Sequence, residues 1–140
     1  MKLLRTIILA INVSLSSCAN QSFLSHTELF ELRTCRIMIN ISPNHTQVMN
    51  DGHGNSYVLS TPKGYILISD ASLTSFDFGE YRIIRQDTIN GINRFFGVHD
   101  DVFFRNDRRD CVLVYYANVH AKDTIEFNKI LNELIVIPKQ

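Results

Sequence analysis

Short runs of β-branched and aromatic residues, bounded by turn residues, dominate the chain after its first eighteen positions. All 5 tyrosines and 9 phenylalanines lie there, and tryptophan is absent. Ile37, Ile39 and Ile41 alternate with Met38 and Asn40, the period-2 pattern of a strand with one buried face. Short runs separated by Asn, Asp, Gly and Pro predict an antiparallel sheet.

Turn residues divide this region into roughly seven to nine short strands in total. Asp51-Gly52 and Asn90-Gly91 are pairs that favour the tight turns of β-hairpins. The run from Leu73 to Phe78 predicts another strand, and the run from Cys111 to Val119 has the strongest β-propensity. Residues 106–110 are entirely polar and predict a loop.

Near its end the chain changes to helical periodicity. Asp123 and Glu126 have the spacing of a capping box, in which the first side chain binds amides of the first helical turn. The apolar residues that follow are spaced i, i+3, i+4, i+7 on one face: Phe127, Ile130, Leu131 and Leu134. The sequence therefore predicts an α+β fold, a mostly antiparallel β-sheet with one C-terminal amphipathic helix over residues 123–134 packed on it.

The first residues have the order of a secretory signal. Lys2 and Arg5 form a positively charged start, and residues 6–15 form an apolar stretch interrupted by Asn12 and Ser14. A membrane-spanning helix needs about 20 apolar residues, whereas a signal-peptide core needs only about 7–15. The sequence therefore favours a cleaved leader over a membrane span.

The end of this leader, Leu15-Ser16-Ser17-Cys18, resembles the lipobox of bacterial lipoproteins, and the resemblance covers residues 1–18 only. It implies that Cys18 carries lipid acyl chains (diacylglycerol, palmitate). Ala19 after the cysteine implies sorting to the outer membrane, facing the periplasm. Secretion with cleavage after Ala19 is the alternative. The implied division is a signal peptide (1–17), a lipidated cysteine with a short tether (18–27), and a single globular domain (28–140).

The number of cysteines fits either form of export. Of the 3 cysteines, Cys18 is lipidated or removed, which leaves Cys35 and Cys111. Two cysteines in one small exported domain usually form a disulfide, and closing a loop of 76 positions would stabilise the fold by about 4 kcal/mol. Two separate buried thiols are the alternative.

Charge limits the classes of partner. The leader contains two of the 14 basic residues, so the mature chain has 12 against 14 acidic residues. This near-neutral balance excludes the basic surface that nucleic acids or anionic lipids attract. Membrane contact is therefore expected through the lipid anchor.

Residues for catalysis or metal binding form no recognisable motif. His99-Asp100-Asp101 is the densest group, but the short paired spacings of structural zinc ligands are missing, and hairpin-turn residues explain the group equally well. The Gly-x-Ser-x-Gly and Ser-x-x-Lys motifs are also missing. We therefore predict no metal, no cofactor and no enzymatic activity.

A protein partner is the remaining expectation. Arginine and aromatic residues are enriched at interface hot spots, and the predicted partner-binding residues are Phe104, Arg105, Asp107, Arg108 and Arg109. A second candidate is the strand Tyr81–Arg85, with Arg82 at a sheet edge. The leading hypothesis is an envelope lipoprotein with a small protein-binding domain, in its most specific form an immunity protein against a periplasm-acting effector toxin. The alternatives are a structural or assembly accessory of the envelope, and a small-ligand module with a sheet–helix groove.

Overall fold

The computed structural model describes residues 26–42, 47–50, 56–71 and 79–140. A short 3₁₀ turn, Ala121–Asp123, precedes the helix. The elements are β1 (His26–Glu31), β2 (Cys35–Ile41), β3 (Gln47–Asn50), β4 (Ser56–Thr61), β5 (Gly64–Asp70), β6 (Arg82–Ile89), β7 (Ile92–His99), β8 (Val102–Arg108), β9 (Val112–His120), α1 (Thr124–Glu133) and β10 (Ile135–Pro138).

Two antiparallel sheets contain these strands. The small sheet has the order β1-β2-β10, and the large sheet has the order β3-β4-β5-β9-β8-β7-β6. The strand that comes last along the chain in the large sheet, β9, lies near its centre between β5 and β8. The predicted class is confirmed in its coarse form, since antiparallel strands predominate and one helix lies near the C-terminus.

The core lies between the two sheets and α1. The predicted alternation of β2 is confirmed, because Ile37, Ile39 and Ile41 are all buried while the intervening residues are more exposed. The Phe127 ring of α1 meets the Tyr116 ring of β9 at a centroid distance of 5.5 Å. Burial of each such side chain contributes about 1.5–3 kcal/mol, so this layer holds the helix against the large sheet.

The predicted hairpin turn at Asn90-Gly91 is confirmed between β6 and β7. Both residues have positive φ, 53° and 76°, which is the backbone of a type I′ turn. This turn has the twist of the flanking strands, and it fixes the register in which Ile89 lies opposite Ile92.

The predicted helix is confirmed, but its predicted capping box is wrong. Asp123 makes no capping hydrogen bond, and its φ and ψ of −97° and −10° are helical because it is the last residue of the 3₁₀ turn. Both carboxylates instead form ion pairs with Lys63, whose Nζ lies 3.5 Å from Asp123 Oδ1 and 2.6 Å from Glu126 Oε2. The two acidic residues therefore connect α1 to the β4–β5 turn.

The loop predicted at residues 106–110 is also wrong for its first half. β8 continues to Arg108, with Asn106 opposite Tyr115 and Asp107 opposite Val114. The strand was not predicted because its residues are polar. Their burial depends on partners that lie far away along the chain, such as Asn128 and Asn132 for Arg105 and Arg94 for Asp107.

Several predictions lie outside the described residues. The leader, the lipidated Cys18 and the run from Leu73 to Phe78 all lie there. The first described strand, β1, includes His26 and Thr27, which were predicted to belong to the tether.

Candidate functional site

The five residues predicted to bind a partner do not form one surface. β8 lies between β7 and β9, so its side chains alternate between the two covered faces of the large sheet. Phe104, Arg105 and Asp107 are buried, with exposed fractions of 1–2%. Only Arg108 is exposed, and Arg109 is half-buried. The predicted five-residue surface patch is therefore wrong, because three of its residues are buried and Arg108 alone is exposed.

Phe104 lies on the face away from the helix. Its ring meets the Tyr81 ring at 4.8 Å. A Cβ added to Gly97 would lie 2.1 Å from the Phe104 ring, so the glycine leaves the space that this ring occupies.

Arg105 and Asp107 form a buried ion pair beneath α1. Arg105 donates through Nε to Asp107 Oδ1 and through Nη2 to Asp107 Oδ2, both at 2.7 Å. The guanidinium also donates to Asn128 Oδ1 at 3.2 Å and to Asn132 Oδ1 at 2.8 Å. Because those asparagines belong to α1, the pair fixes the polar side of the helix to the sheet.

Two further guanidinium groups surround the same carboxylate. Arg94 Nε lies 3.4 Å from Asp107 Oδ2. Arg109 donates to the carbonyl oxygens of Leu131 and Leu134, at 3.3 and 3.4 Å, where α1 ends. Burial lowers the pKa of Arg109, the positive charges of Arg94 and Arg105 lower it further, and Asp107 opposes the shift. The cluster is therefore rich in positive charge, and Asp107 is its central counter-charge.

The charged residues continue from the buried cluster towards the edge of the sheet. In one cross-strand row Arg85 lies opposite Phe96, and Phe96 opposite Arg105. In the next row Asp87 lies opposite Arg94. The Arg85 guanidinium stacks over the Phe96 ring at 3.7 Å, and its Nε lies 3.3 Å from Asp87 Oδ2.

These rows end at β6, the edge of the large sheet among the described strands. Seven of its eight residues are exposed, and Asp87 is intermediate. Ile83, Ile84 and Ile89 are 39–50% exposed, which is high for large apolar side chains. We call this strand the β6 edge; its position confirms the prediction that Arg82 lies at a sheet edge.

The β6 edge has open backbone groups between its charged residues. Because a β-turn joins its first and fourth residues by a hydrogen bond, Ile89 and Ile92 form a hydrogen-bonded pair. Bonded and non-bonded pairs alternate in an antiparallel ladder, so Gln86 and Thr88 direct their N–H and C=O groups away from β7. At Ile84 the register shifts by one residue, which marks a β-bulge.

The two downstream cysteines lie side by side as thiols. Cys35 Sγ lies 3.5 Å from the Cys111 carbonyl oxygen. Burial, together with the neighbouring Cys111, raises the pKa of the Cys35 thiol to about 12. Cys35 begins β2 in the small sheet and Cys111 precedes β9 in the large sheet, so a disulfide here would join the two sheets. The disulfide stays a prediction.

His99 and His120 lie near carboxylates at the surface. His99 Nε2 lies 3.3 Å from Glu80 and 3.6 Å from Asp100, and His120 Nδ1 lies 3.4 Å from Asp101. In the described ranges no three His, Cys, Asp or Glu side chains converge as a metal-binding group.

A cavity of about 430 Å³ opens at one end of the small sheet. Its lining residues are Arg36, Ile137, Pro138, Lys139 and Gln140. This position differs from the sheet–helix groove considered for a small ligand, where the Arg105 network and Phe127 fill the space under α1.

The sequence contained a signal for the charged network that its analysis missed. Arg85 and Asp87, like Arg105 and Asp107, are opposite charges two positions apart, and this spacing puts both on one face of a strand. Which of the two pairs is buried depends on the position of the strand in the sheet.

Comparison with protein-family models, with curated proteins and with solved structures finds no match for this chain. No helix in the described part of the chain has the length and apolar character needed to cross a membrane.

Proposed function

We propose that this chain is a lipid-anchored protein of the bacterial envelope whose domain binds a protein partner through the β6 edge. The lipobox-like sequence ending at Cys18 supports the anchor, and the near-neutral charge supports attachment by acyl chains rather than by electrostatics. A binding role accounts for the exposed edge. The arginine cluster is not assigned a catalytic role, because Arg105 and Arg109 bind groups of α1 and of the residue that follows it.

The observation that carries the proposal is the exposure of the β6 edge. Proteins usually shorten, cover or charge such an edge, because its open N–H and C=O groups pair readily with another strand. Here eight residues stand at the edge and seven are exposed, including three isoleucines. An added strand would gain main-chain hydrogen bonds from Gln86 and Thr88 and apolar contacts from the isoleucines.

Site-specific photo-cross-linking of the full chain in producing cells tests this proposal. A photoreactive phenylalanine replaces Ile84 on the β6 edge or, as the control, Ile125 on α1, which is 79% exposed. We expect a discrete protein adduct from position 84 and none from position 125. Absence of a discrete adduct at position 84, and likewise at position 88, contradicts protein binding by this edge.

Immunity against a periplasm-acting effector toxin is the most specific form of the proposal. A small domain that is held at the membrane by a lipid anchor and has no recognisable catalytic motif suits capture of a toxin. Deletion of the gene should reduce survival beside toxin-producing neighbours, and the intact gene should restore it. Thr88→Pro should restore it less, because proline removes an outward N–H of the edge without removing a main-chain bond to β7, although the hydrogen bond from the Thr88 hydroxyl to Asn93 Oδ1 of β7 is also lost. Unchanged survival of the deletion strain refutes immunity, and envelope defects without a competitor favour an accessory role.

A further inference from the structure

We infer that the partner of the β6 edge is a second copy of this chain, paired antiparallel with the first about a two-fold axis at Gln86. The inference rests on the proposed function, protein binding by this edge, and it names the partner. Three properties of β6 support it: the direction of its open backbone groups, the order of its charges and the positions of its isoleucines.

The backbone groups fit a two-fold axis at Gln86. The N–H and C=O of this residue point away from β7, so two copies can exchange both hydrogen bonds in one closely bonded pair. Thr88 also has outward groups and comes opposite Ile84 of the second copy. The hydrogen-bond ladder would then continue from the large sheet of one copy into the large sheet of the other.

The charges fit the same register. With Gln86 on the axis, Arg85 lies opposite Asp87 of the second copy, and the reverse pair lies on the other side of the axis. Both side chains lie on the helix-facing side of the sheet, so the four charges alternate in sign around the axis. Opposite charges that face each other across two strands stabilise the pairing.

Neighbouring registers are disfavoured by the same residues. Moving the axis to Arg85 brings two arginines directly opposite each other, and moving it to Asp87 brings two aspartates together. Like charges in such positions destabilise a sheet. The bulge at Ile84 limits regular pairing at the far end, so the central residues select one register and one partner orientation.

The apolar residues are covered in this arrangement. Ile83 and Ile84 of one copy run beside Thr88 and Ile89 of the other, on both sides of the axis. This pairing covers the isoleucines that are 39–50% exposed in the single chain. It also brings the Arg85–Phe96 stacks of the two copies together on one side of a continuous sheet.

Cysteine cross-linking of the full chain in the membrane tests the register. Gln86→Cys places two thiols on the axis, where bonded pairs have a Cα separation of about 5.5 Å, within the range of a disulfide. Thr88→Cys is the matched control on the same edge, with its two copies about 14 Å apart along the strands. Copper phenanthroline, as the oxidant, accepts the electrons when the two thiols join.

Non-reducing electrophoresis should show a reducible dimer band with Gln86→Cys, about tenfold above the band with Thr88→Cys or the unsubstituted chain. Charge exchange in the Gln86→Cys background provides the second readout. Arg85→Asp or Asp87→Arg alone should lower the dimer band about tenfold, because each puts two like-charged pairs opposite each other. The double exchange should restore it. Circular dichroism of each variant confirms that the fold is retained.

Each result supports or overturns the inference. Equal bands from Gln86→Cys and Thr88→Cys refute the register, and failure of the double exchange to restore the dimer refutes the charge pairing. A position-84 photoadduct with a different protein, together with no Gln86→Cys dimer, refutes the second copy and retains the proposed function. Absence of both products refutes both proposals.

Discussion

Removal of Asp107 should be among the most damaging single changes to this fold. Its carboxylate accepts two hydrogen bonds of 2.7 Å from Arg105 and lies 3.4 Å from Arg94, and its side chain is 1% exposed. Asp107→Leu leaves Arg105 buried without its counter-charge. Breaking a buried pair in this way lowers the free energy of unfolding by about 3–5 kcal/mol. We expect a loss of about 4 kcal/mol, because Arg94 loses the same counter-charge as Arg105.

Arg105→Met should cost less, about 3 kcal/mol, because Asp107 keeps Arg94 as a counter-charge. The double variant should lose only about 4 kcal/mol rather than the sum of the two, since the buried Arg105 charge is then removed together with its counter-charge. The expected coupling between the two residues is therefore about 3 kcal/mol. The remaining loss in the double variant comes from Arg94, which loses the Asp107 carboxylate, and from Asn128 and Asn132, which no longer receive the guanidinium hydrogen bonds.

Urea unfolding followed by circular dichroism and tyrosine fluorescence measures these free energies. At a slope of about 1.5 kcal/mol per molar urea, a loss of 3 kcal/mol moves the midpoint by about 2 M. The control is Glu31→Leu with Arg36→Met, an ion pair of 2.8 Å whose side chains are about half exposed, for which coupling should stay below about 1 kcal/mol. Losses at Arg105 and Asp107 that add to within about 0.5 kcal/mol would refute the account of the buried pair.

Three further predictions concern the core, the pH dependence and the cysteines. Gly97→Ala should lower the free energy of unfolding by about 2 kcal/mol, because its Cβ meets the Phe104 ring at 2.1 Å and the Arg82 carbonyl oxygen at 2.9 Å; an unchanged urea midpoint would contradict this contact. Burial raises the pKa of Tyr116 from 10.0 to about 12, so the unfolded chain ionises first and stability, complete below pH 10, should fall as the pH rises from 10 to 12. Tyr116→Phe should reduce that fall in alkaline urea titrations, and an identical fall in both proteins would refute the assignment. If the disulfide between Cys35 and Cys111 forms in the exported protein, reduction should cost about 4 kcal/mol, whereas labelling of both thiols in the folded exported protein would refute it.

The elements predicted correctly from sequence are those that short-range patterns specify. The alternation around Ile39 fixed a strand with one buried face, and Asn90-Gly91 fixed a hairpin because both positions need positive φ. The i, i+3, i+4, i+7 spacing that begins at Phe127 fixed the helix to within one residue at each end. In each case the pattern repeats over a few residues, so the signal is complete within the segment itself.

The candidate site was harder to predict because it depends on contacts between distant residues. A charged run such as residues 106–110 predicts a solvated loop unless its partners are known, and the partners of Arg105 are Asn128 and Asn132 on the helix. The same limit applies to the capping box, since the ammonium group that binds Asp123 and Glu126 belongs to Lys63, far away along the chain.

Patterns within the sequence predict a small strand-rich chain with one late helix, and its first eighteen residues resemble a lipoprotein signal. Local periodicity, turn chemistry and hydrophobic length carry that information, because each acts over a few neighbouring residues. Only the tertiary structure decided that Arg105 and Asp107 are buried while Arg85 and Asp87, with the same spacing, stand at an open edge. The position of each strand accounts for this difference, because β8 lies beneath α1, whose Asn128 and Asn132 cover Arg105, whereas β6 is the last described strand of the large sheet.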